Sequence, residues 1–329
     1  MENKKLILSM QLNVDDFAPA SDSEKESLSV MRESVSFWKD GLRRLRKNPI
    51  AMVSLAVLII VLILAFIVPA FYPYDYATQI RGSENLGPMQ YSEAEQAAMA
   101  AGEKVFPHIL GTDSLGRDYA VRVMMGTRVS LSVGLLASVL VLLIGSVYGS
   151  VAGFLGGKVD LFMMRIVDIL MSVPSFLIII TLNIYMNAGI RTLVVTIGLF
   201  SWMGVARIVR AEVLSLRERD FILASEGLGA RKSWVITRHF ARNVFSPVLV
   251  ASTNSIASAI LTESSLSYLG FGISIPNPSW GGMLEGAQTY ILTHPSLAVY
   301  PGVCILLTVL CFNVLGNGFR RRFSPNSGR

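Results

Sequence analysis

Three histidines, two cysteines and one carboxyl group inside a long apolar run are the side chains with the most obvious capacity for chemistry. His108, His239 and His294 stand far apart, and none has the spacing of metal ligands. Cys304 and Cys311 lie two helical turns apart in one apolar run, too far to bridge and too few for a disulfide scaffold or a zinc site. No HExxH, nucleophile elbow or paired-carboxylate motif occurs. The nearest approach to a nucleotide loop, Ala152-Gly153-Phe154-Leu155-Gly156-Gly157-Lys158-Val159, has alanine where the first glycine belongs and valine where Ser or Thr would hold magnesium. It also ends an apolar helix instead of following a strand. The chain is therefore expected to be no enzyme and to hold no metal or cofactor, and any ATP it depends on must be bound by another chain.

Three non-catalytic clusters remain. The link 214–243 carries small residues at Ala224, Ser225, Gly227, Gly229 and Ala230, beside Phe221, Glu226, Leu228 and Trp234. Small side chains let a second surface approach the backbone, and exposed aromatics are the usual anchors of such contacts. The alternative is a solvated basic loop with ordinary turn glycines. A second cluster gathers hydroxyl and amide groups between Ser252 and Ser267, including Asn254, Ser258 and Thr262, with Glu263 as the sole carboxyl group. Such groups either pack helices closely or line a wet cavity, and Glu263 either faces the cavity or holds a network near the interface. The third cluster is His108–Asp118 with Pro276–Gly282. There Gly111 and Gly116 suit turns, Thr112 and Asp113 suit helix caps, and Asp113, Arg117 and Trp280 are candidates for an outer docking surface. An interfacial tryptophan is an equally ordinary role for Trp280.

The elements that must position these clusters follow from composition. Of 329 residues, 52% are hydrophobic and only 16% charged, against about 25% charged in soluble domains. A globule of this size would have too little polar surface, so the chain belongs in a membrane. Apolar runs near the length a bilayer requires occur at 49–74, 129–157, 166–190, 192–206, 244–270 and 297–319, giving an expected six spans. The first follows a polar stretch of about forty residues, so it is expected to be a retained anchor and not a signal peptide. Basic residues crowd the segment before the first span, the links at Lys158–Arg165 and Arg207–Arg242, and Arg320–Arg322, whereas 272–296 has only Glu285. By the positive-inside rule both termini are expected in the cytoplasm. The net charge of +6 is then topological, and no nucleic-acid role is needed to explain it. Trp38, Leu42 and Leu45 suit a short amphipathic helix on the inner membrane surface.

Several motifs give the chain a family likeness. Segment 221–243 resembles the signature of binding-protein-dependent ABC importer permeases, with Ala224-Ser225 as the small pair, Gly229 as the glycine and His239 as the later position. His108-Ile109-Leu110-Gly111-Thr112-Asp113-Ser114-Leu115-Gly116-Arg117-Asp118 looks like the hallmark of C-type permease subunits of oligopeptide and dipeptide importers. Gly126–Leu131, Met163–Leu170, Ala206–Arg210, Glu263–Gly272 and Ser279-Trp280-Gly281 continue the likeness in order. Leu223, Arg242 and Asn317 depart from the family pattern, where glutamate, proline and a Gly-Asp pair are common.

The resemblance implies an all-α integral membrane protein with the type I ABC importer permease fold. Its expected parts are a cytoplasmic tail with an amphipathic helix (1–48), a peripheral first span (49–74), an extracytoplasmic loop (75–128), a five-helix transport core (129–319) containing the coupling segment 214–243, and a cytoplasmic tail (320–329). It implies a cell-membrane location and four kinds of partner: a second permease, two ATP-binding subunits carrying ATP and Mg, a peptide-binding protein outside, and lipid. Coupling would run through Phe221, Ala224, Ser225, Glu226, Gly227, Gly229, Ala230 and Trp234, and Asn254, Ser258, Thr262 and Glu263 would line the pathway. Oligopeptides are the expected cargo; dipeptides, nickel complexes and other small solutes are alternatives within the family. A secondary transporter is the rival outside it, but such proteins commonly show internal repeats, and none is visible here.

Overall fold

The computed structural model describes residues 43, 46–187, 189–219, 222, 227, 229 and 241–323, with the backbone alone at 241–246 and 321–323. The expected amphipathic stretch at Trp38, Leu42 and Leu45 lies outside the described residues. Ten α-helices are described: α1 Pro49–Phe66, α2 Glu93–Ala100, α3 Tyr119–Leu155, α4 Gly157–Ser172, α5 Ser175–Tyr185, α6 Ile190–Ser201, α7 Met203–Arg217, α8 Ala241–Tyr268, α9 Trp280–Ala287 and α10 Ser296–Phe323. Among the described residues there is no strand, only isolated bridges at Gln90–His108 and Thr112–Asp118.

Three helical stretches are long and apolar enough to cross a membrane: Pro49–Ala70, Tyr119–Leu155 and Ser296–Arg320. Counting each bent pair as one span, α4 with α5 (73°) and α6 with α7 (42°), raises the number to five. The α4–α5 bend falls at Pro174, which ends one helix and starts the next because its ring cannot follow a helical turn. Helix α8, 28 residues long and rich in hydroxyls, corresponds to the fifth expected span, 244–270, and is not in that count.

Helix α3 starts ten residues before the apolar run that announces it. Asp118 supplies the cap, its Oδ1 accepting from the Val121 amide at 2.9 Å. At 37 residues the helix is about 55 Å long, well beyond the roughly 30 Å of hydrocarbon. Its first turns, with Arg122 and Arg128, can thus stand clear of the lipid tails.

Helix α3 is the spine of the bundle, packed against α1, α6, α7 and α8. Its contact with α7 is built from glycines one turn apart. A Cβ placed on Gly145 would sit 2.8 Å from Val205 Cβ, one on Gly149 2.3 Å from the Ala206 carbonyl oxygen, and one on Gly153 2.9 Å from the Arg210 carbonyl oxygen. Helices in lipid lack a hydrophobic drive to associate, so close backbone approach over small residues supplies the attraction. Val205, Ala206, Val209 and Val213 fill the seam with Val141 and Phe154. Sequence reading missed this ridge, although its four-residue glycine spacing was there to find. Gly149→Ala is expected to destabilise the purified protein by about 1–3 kcal/mol, read as a lower thermal unfolding midpoint in detergent. Gly302→Ala, with no described atom within 4 Å of the added carbon, is expected to leave the midpoint unchanged.

Candidate functional site

Three places gather the functional candidates. The first is the exit of α7. Two ion pairs hold α7 to α4: Arg207 Nη2 lies 2.5 Å from Asp168 Oδ1, and Arg210 grips Asp160 through both Nε and Nη2. Asp160 is mostly buried, so the bidentate guanidinium serves as its counter-charge. The partners lie 39 and 50 positions apart in the chain, so the pairing does not follow from local sequence pattern. Beyond α7, the Ile222 amide donates to the Arg219 carbonyl at 2.9 Å. Its side chain is buried in the same core as Val209, Val213 and Leu216, which anchors the start of the expected coupling segment. Gly227 and Gly229 are described, and Gly229 has φ +82°, a backbone that disfavours any side chain. Phe221, Ala224, Ser225, Glu226, Ala230 and Trp234, with Leu223, Leu228 and His239, lie outside the described residues.

The second place is α8, where the hydroxyl-rich stretch divides between two faces. Asn254 and Ser258 are exposed and Thr262 is half-buried. The first two border a cavity of about 210 Å³ together with Val141, Ser201, Gly204 and Val205. Several neighbouring hydroxyls are spent on their own helix, Ser252 donating to the Leu249 carbonyl (2.6 Å) and Thr262 to the Ser258 carbonyl (2.9 Å).

Glu263 is placed apart from these three. Its residue is fully buried, and its Oε1 accepts from the Ser267 hydroxyl at 2.7 Å. Ser264 reaches Oε2 at 3.4 Å, and Ser130 of α3 and Ser279 at the α9 cap add hydroxyl contacts. Of the two readings open at the sequence level, the geometry gives Glu263 a network and not the cavity. The same network fixes Trp280, whose backbone amide donates to Ser130 Oγ (3.2 Å) and whose indole donates to Thr127 Oγ1 (3.1 Å). Trp280 is 0% exposed, so its side chain seats α9 on α3 and offers no surface for a partner.

The third place is the segment between α1 and α3. His108 is fully buried, with Nδ1 2.8 Å from Asp118 Oδ2 and Nε2 3.1 Å from Glu95 Oε1. Its ring stacks on Tyr74, centroids 4.5 Å apart, and the Tyr72 hydroxyl donates to the same Asp118 oxygen at 3.5 Å. Glu95 also closes the capping box of α2, accepting from the Ser92 amide at 2.8 Å. One imidazole thus ties α2 to the cap of α3. The sequence named His108 but gave no sign of Glu95 as its partner. Asp113 and Arg117 form a second cluster: Arg117 Nε and Nη2 both donate to Asp113 Oδ2 at 2.7 Å, and Arg122 Nε lies 3.3 Å from it.

Comparison with known proteins agrees with this architecture. The family model for binding-protein-dependent transport system inner membrane components matches residues 145–328, more than half of the chain. The chain belongs to this family. The model for the N-terminal TM domain of oligopeptide transport permease C matches residues 36–88. The chain is 37% identical to the oligopeptide transport system permease protein OppC of Bacillus subtilis over 94% of this chain and 96% of that protein. It is 39% identical to the OppC protein of Escherichia coli K12 over 91% and 94%, and 36% identical to the dipeptide transport system permease protein DppC of B. subtilis over 95% and 93%. These relatives are permease subunits. A solved structure of the MetNI methionine ABC transporter shares the fold with TM-score 0.53 and 15% identity, covering 61% of this chain and 96% of that one. The chain is thus an inner-membrane permease of the C type.

His108 clasps α2 to the α3 cap through both ring nitrogens, and the strength of this clasp is expected to depend on pH. Burial opposes charge on His108, but the Asp118 hydrogen bond and the charges of Glu95 and Asp118 prevail, raising its pKa above the ordinary 6.5. Facing a carboxylate at each nitrogen, the ring satisfies both only when both nitrogens donate, as the imidazolium. A value raised by folding contributes stability that is complete below the unfolded value and lost as pH rises through the folded one. Hydrogen exchange in α2 amides, corrected for intrinsic rates, is expected to show more protection at about pH 6 than at about pH 9. His108→Gln is expected to flatten that difference.

Proposed function

We propose that this permease forms half of the translocation path of an ATP-driven peptide importer, carrying oligopeptides, and is moved by ATPase subunits through segment 214–243. The observation that carries the reading is the polar stripe of Asn254 and Ser258 on α8, opening on the cavity shared with α6 and α7. Neutral hydroxyl and amide groups suit a peptide, whose backbone is constant while its side chains vary. The names of the relatives, oligopeptide and dipeptide transport permeases, support the same cargo.

In this reading both termini are cytoplasmic, residues 75–128 face outward, and a second permease completes the path. Exposed apolar side chains such as Leu136, Leu143 and Val147 on α3 and Leu306 and Leu310 on α10 supply the surface for that partner and for lipid. Two ATP-binding subunits carry ATP and Mg, and this chain catalyses nothing. Phe221, Ala224, Ser225, Glu226, Gly227, Gly229, Ala230 and Trp234 seat in a groove of one of them. Closure of the ATPases pushes the segment, and Ile222 with the α4–α7 ion pairs passes the push to α7 as a rigid body. Thr262 continues the pathway stripe, while Glu263 supports it from the rear. Asp113, Arg117 and Trp280 serve docking of the extracytoplasmic binding protein, Trp280 by holding α9 in place.

The two described glycines of the coupling segment allow seating to be tested separately from backbone strain. Gly229 is strained by any side chain, whereas Gly227 lacks a positive φ and has no described atom within 4 Å of an added Cβ. Gly227→Trp in the reconstituted importer is expected to leave subunit assembly intact while cutting ATP-dependent peptide uptake at least about ten-fold, because a bulky side chain props the docking surface apart. Gly229→Ala is expected to cost stability without needing an ATPase partner to reveal it. Full uptake in Gly227→Trp would refute the coupling assignment.

A further inference from the structure

Two arginines in the third place share one carboxylate. Asp113 Oδ1 is occupied by the amides of Leu115 (2.9 Å) and Arg117 (3.0 Å), and Oδ2 takes both Arg117 contacts and Arg122 Nε. Its lone pairs are filled and its charge is matched by Arg117. Arg122 is left as a second cation, with Nη1 donating to the Tyr76 carbonyl at 3.0 Å and no second carboxylate paired with it among the described residues. Arg117 and Arg122 are only 9% and 7% exposed. A buried guanidinium without its own counter-charge is unfavourable unless an anion joins it.

A cavity of about 60 Å³ opens beside this pair, its lining including Asp113 as well as Arg117, Arg122, Gly282, Met283 and Gly286; with the Asp113 oxygens already engaged, the two guanidinium groups leave that wall with one positive charge in excess. The volume admits several water-sized groups and so a carboxylate, but not a peptide. It shares no lining residue with the cavity bordered by Asn254 and Ser258, so the two are separate sites. A guanidinium presents planar donors that match a carboxylate.

We propose that this cavity receives one acidic side chain of the binding protein, held by Arg122 and Arg117, when that protein docks on the outer face. The inference rests on the importer reading above and adds the chemistry of recognition. Arg122 is the specificity-determining residue, Asp113 orients the arginine pair, and the glycines of α9 leave the entrance open.

The test measures binding of the purified binding protein to the complete importer in nanodiscs. Arg122→Gln is expected to weaken it at least about ten-fold. Gly286→Leu narrows the entrance while leaving every residue of the ion cluster unchanged, with no described atom within 4 Å of a Cβ there, and it is expected to do the same while assembling and unfolding like wild type. Among single Asp→Asn and Glu→Gln substitutions on the binding protein, one is expected to weaken binding to wild type but to add nothing to Arg122→Gln, or to Gly286→Leu should Arg122→Gln fail to fold. Wild-type affinity in a folded Gly286→Leu importer would overturn the proposal, as would strict additivity for every acidic position. If the wild-type importer binds no binding protein at all, the importer reading falls, and this proposal with it.

Discussion

A carboxyl group sealed inside a membrane helix must be surrounded by donors, and at Glu263 that requirement organises the rest of the molecule. Hydroxyls come from its own helix (Ser264 and Ser267) and, through Ser130 and Ser279, from α3 and the α9 cap. Leaving one such buried polar group without a partner costs about 1–3 kcal/mol, so α3, α8 and α9 are held in one register. The same junction needs close backbones: a Cβ on Gly281 would lie 2.1 Å from the Ser264 carbonyl oxygen. Trp280, Leu131 and Ile260 close over it as a fully packed core. With the rear of α8 fixed, Asn254 and Ser258 are turned to the opposite, open side.

The far end of the bundle is built differently. There the glycine ridge of α3 brings α7 within backbone contact, and Asp160 and Asp168 hold it to α4. Dry packing plus paired charge makes α4 and α7 move as one, which a lever requires and a flexible linker could not provide. Polar networks at one end and a stiff seam at the other divide the labour between a fixed gate region and a driven one. That division is our reading of how the permease converts a push at segment 214–243 into an opening beside α8.

Much of this was legible in the sequence because it depends on local pattern. Apolar runs located the long helices, although the run 166–190 passed straight through the bend at Pro174, and the His108–Asp118 and 221–243 motifs carried the family likeness, which the family match bears out. What stayed hidden depends on three-dimensional pairing. Glu95 meets His108 only after the chain folds back, Arg122 meets Asp113 across a turn, and Asp160 finds Arg210 fifty residues away. Helix α3 starts earlier than its charge-free run because Arg122 and Arg128 interrupt its otherwise apolar first turns, and a search for uncharged residues begins only after them. Residue type alone left Glu263 open between a cavity and a supporting network, and Trp280 between a docking surface and an interfacial anchor, because what separates these roles is the set of partners folding brings to each side chain, Ser267 to Glu263 and Thr127 to Trp280.

Helix α8, on our reading, presents its amide and hydroxyl face to a water-filled path while Glu263 holds the opposite face dry. Cysteine accessibility tests this most directly. In the reconstituted importer, with Cys304 and Cys311 replaced, Asn254→Cys, Ser258→Cys and Ser267→Cys would each be exposed to a membrane-impermeant thiol reagent with and without ATP. The account predicts labelling at 254 and 258 at rates that change with ATP, and none at 267. Labelling at 267 as fast as at 258, or shielding of 254 and 258 in every nucleotide state, would contradict it.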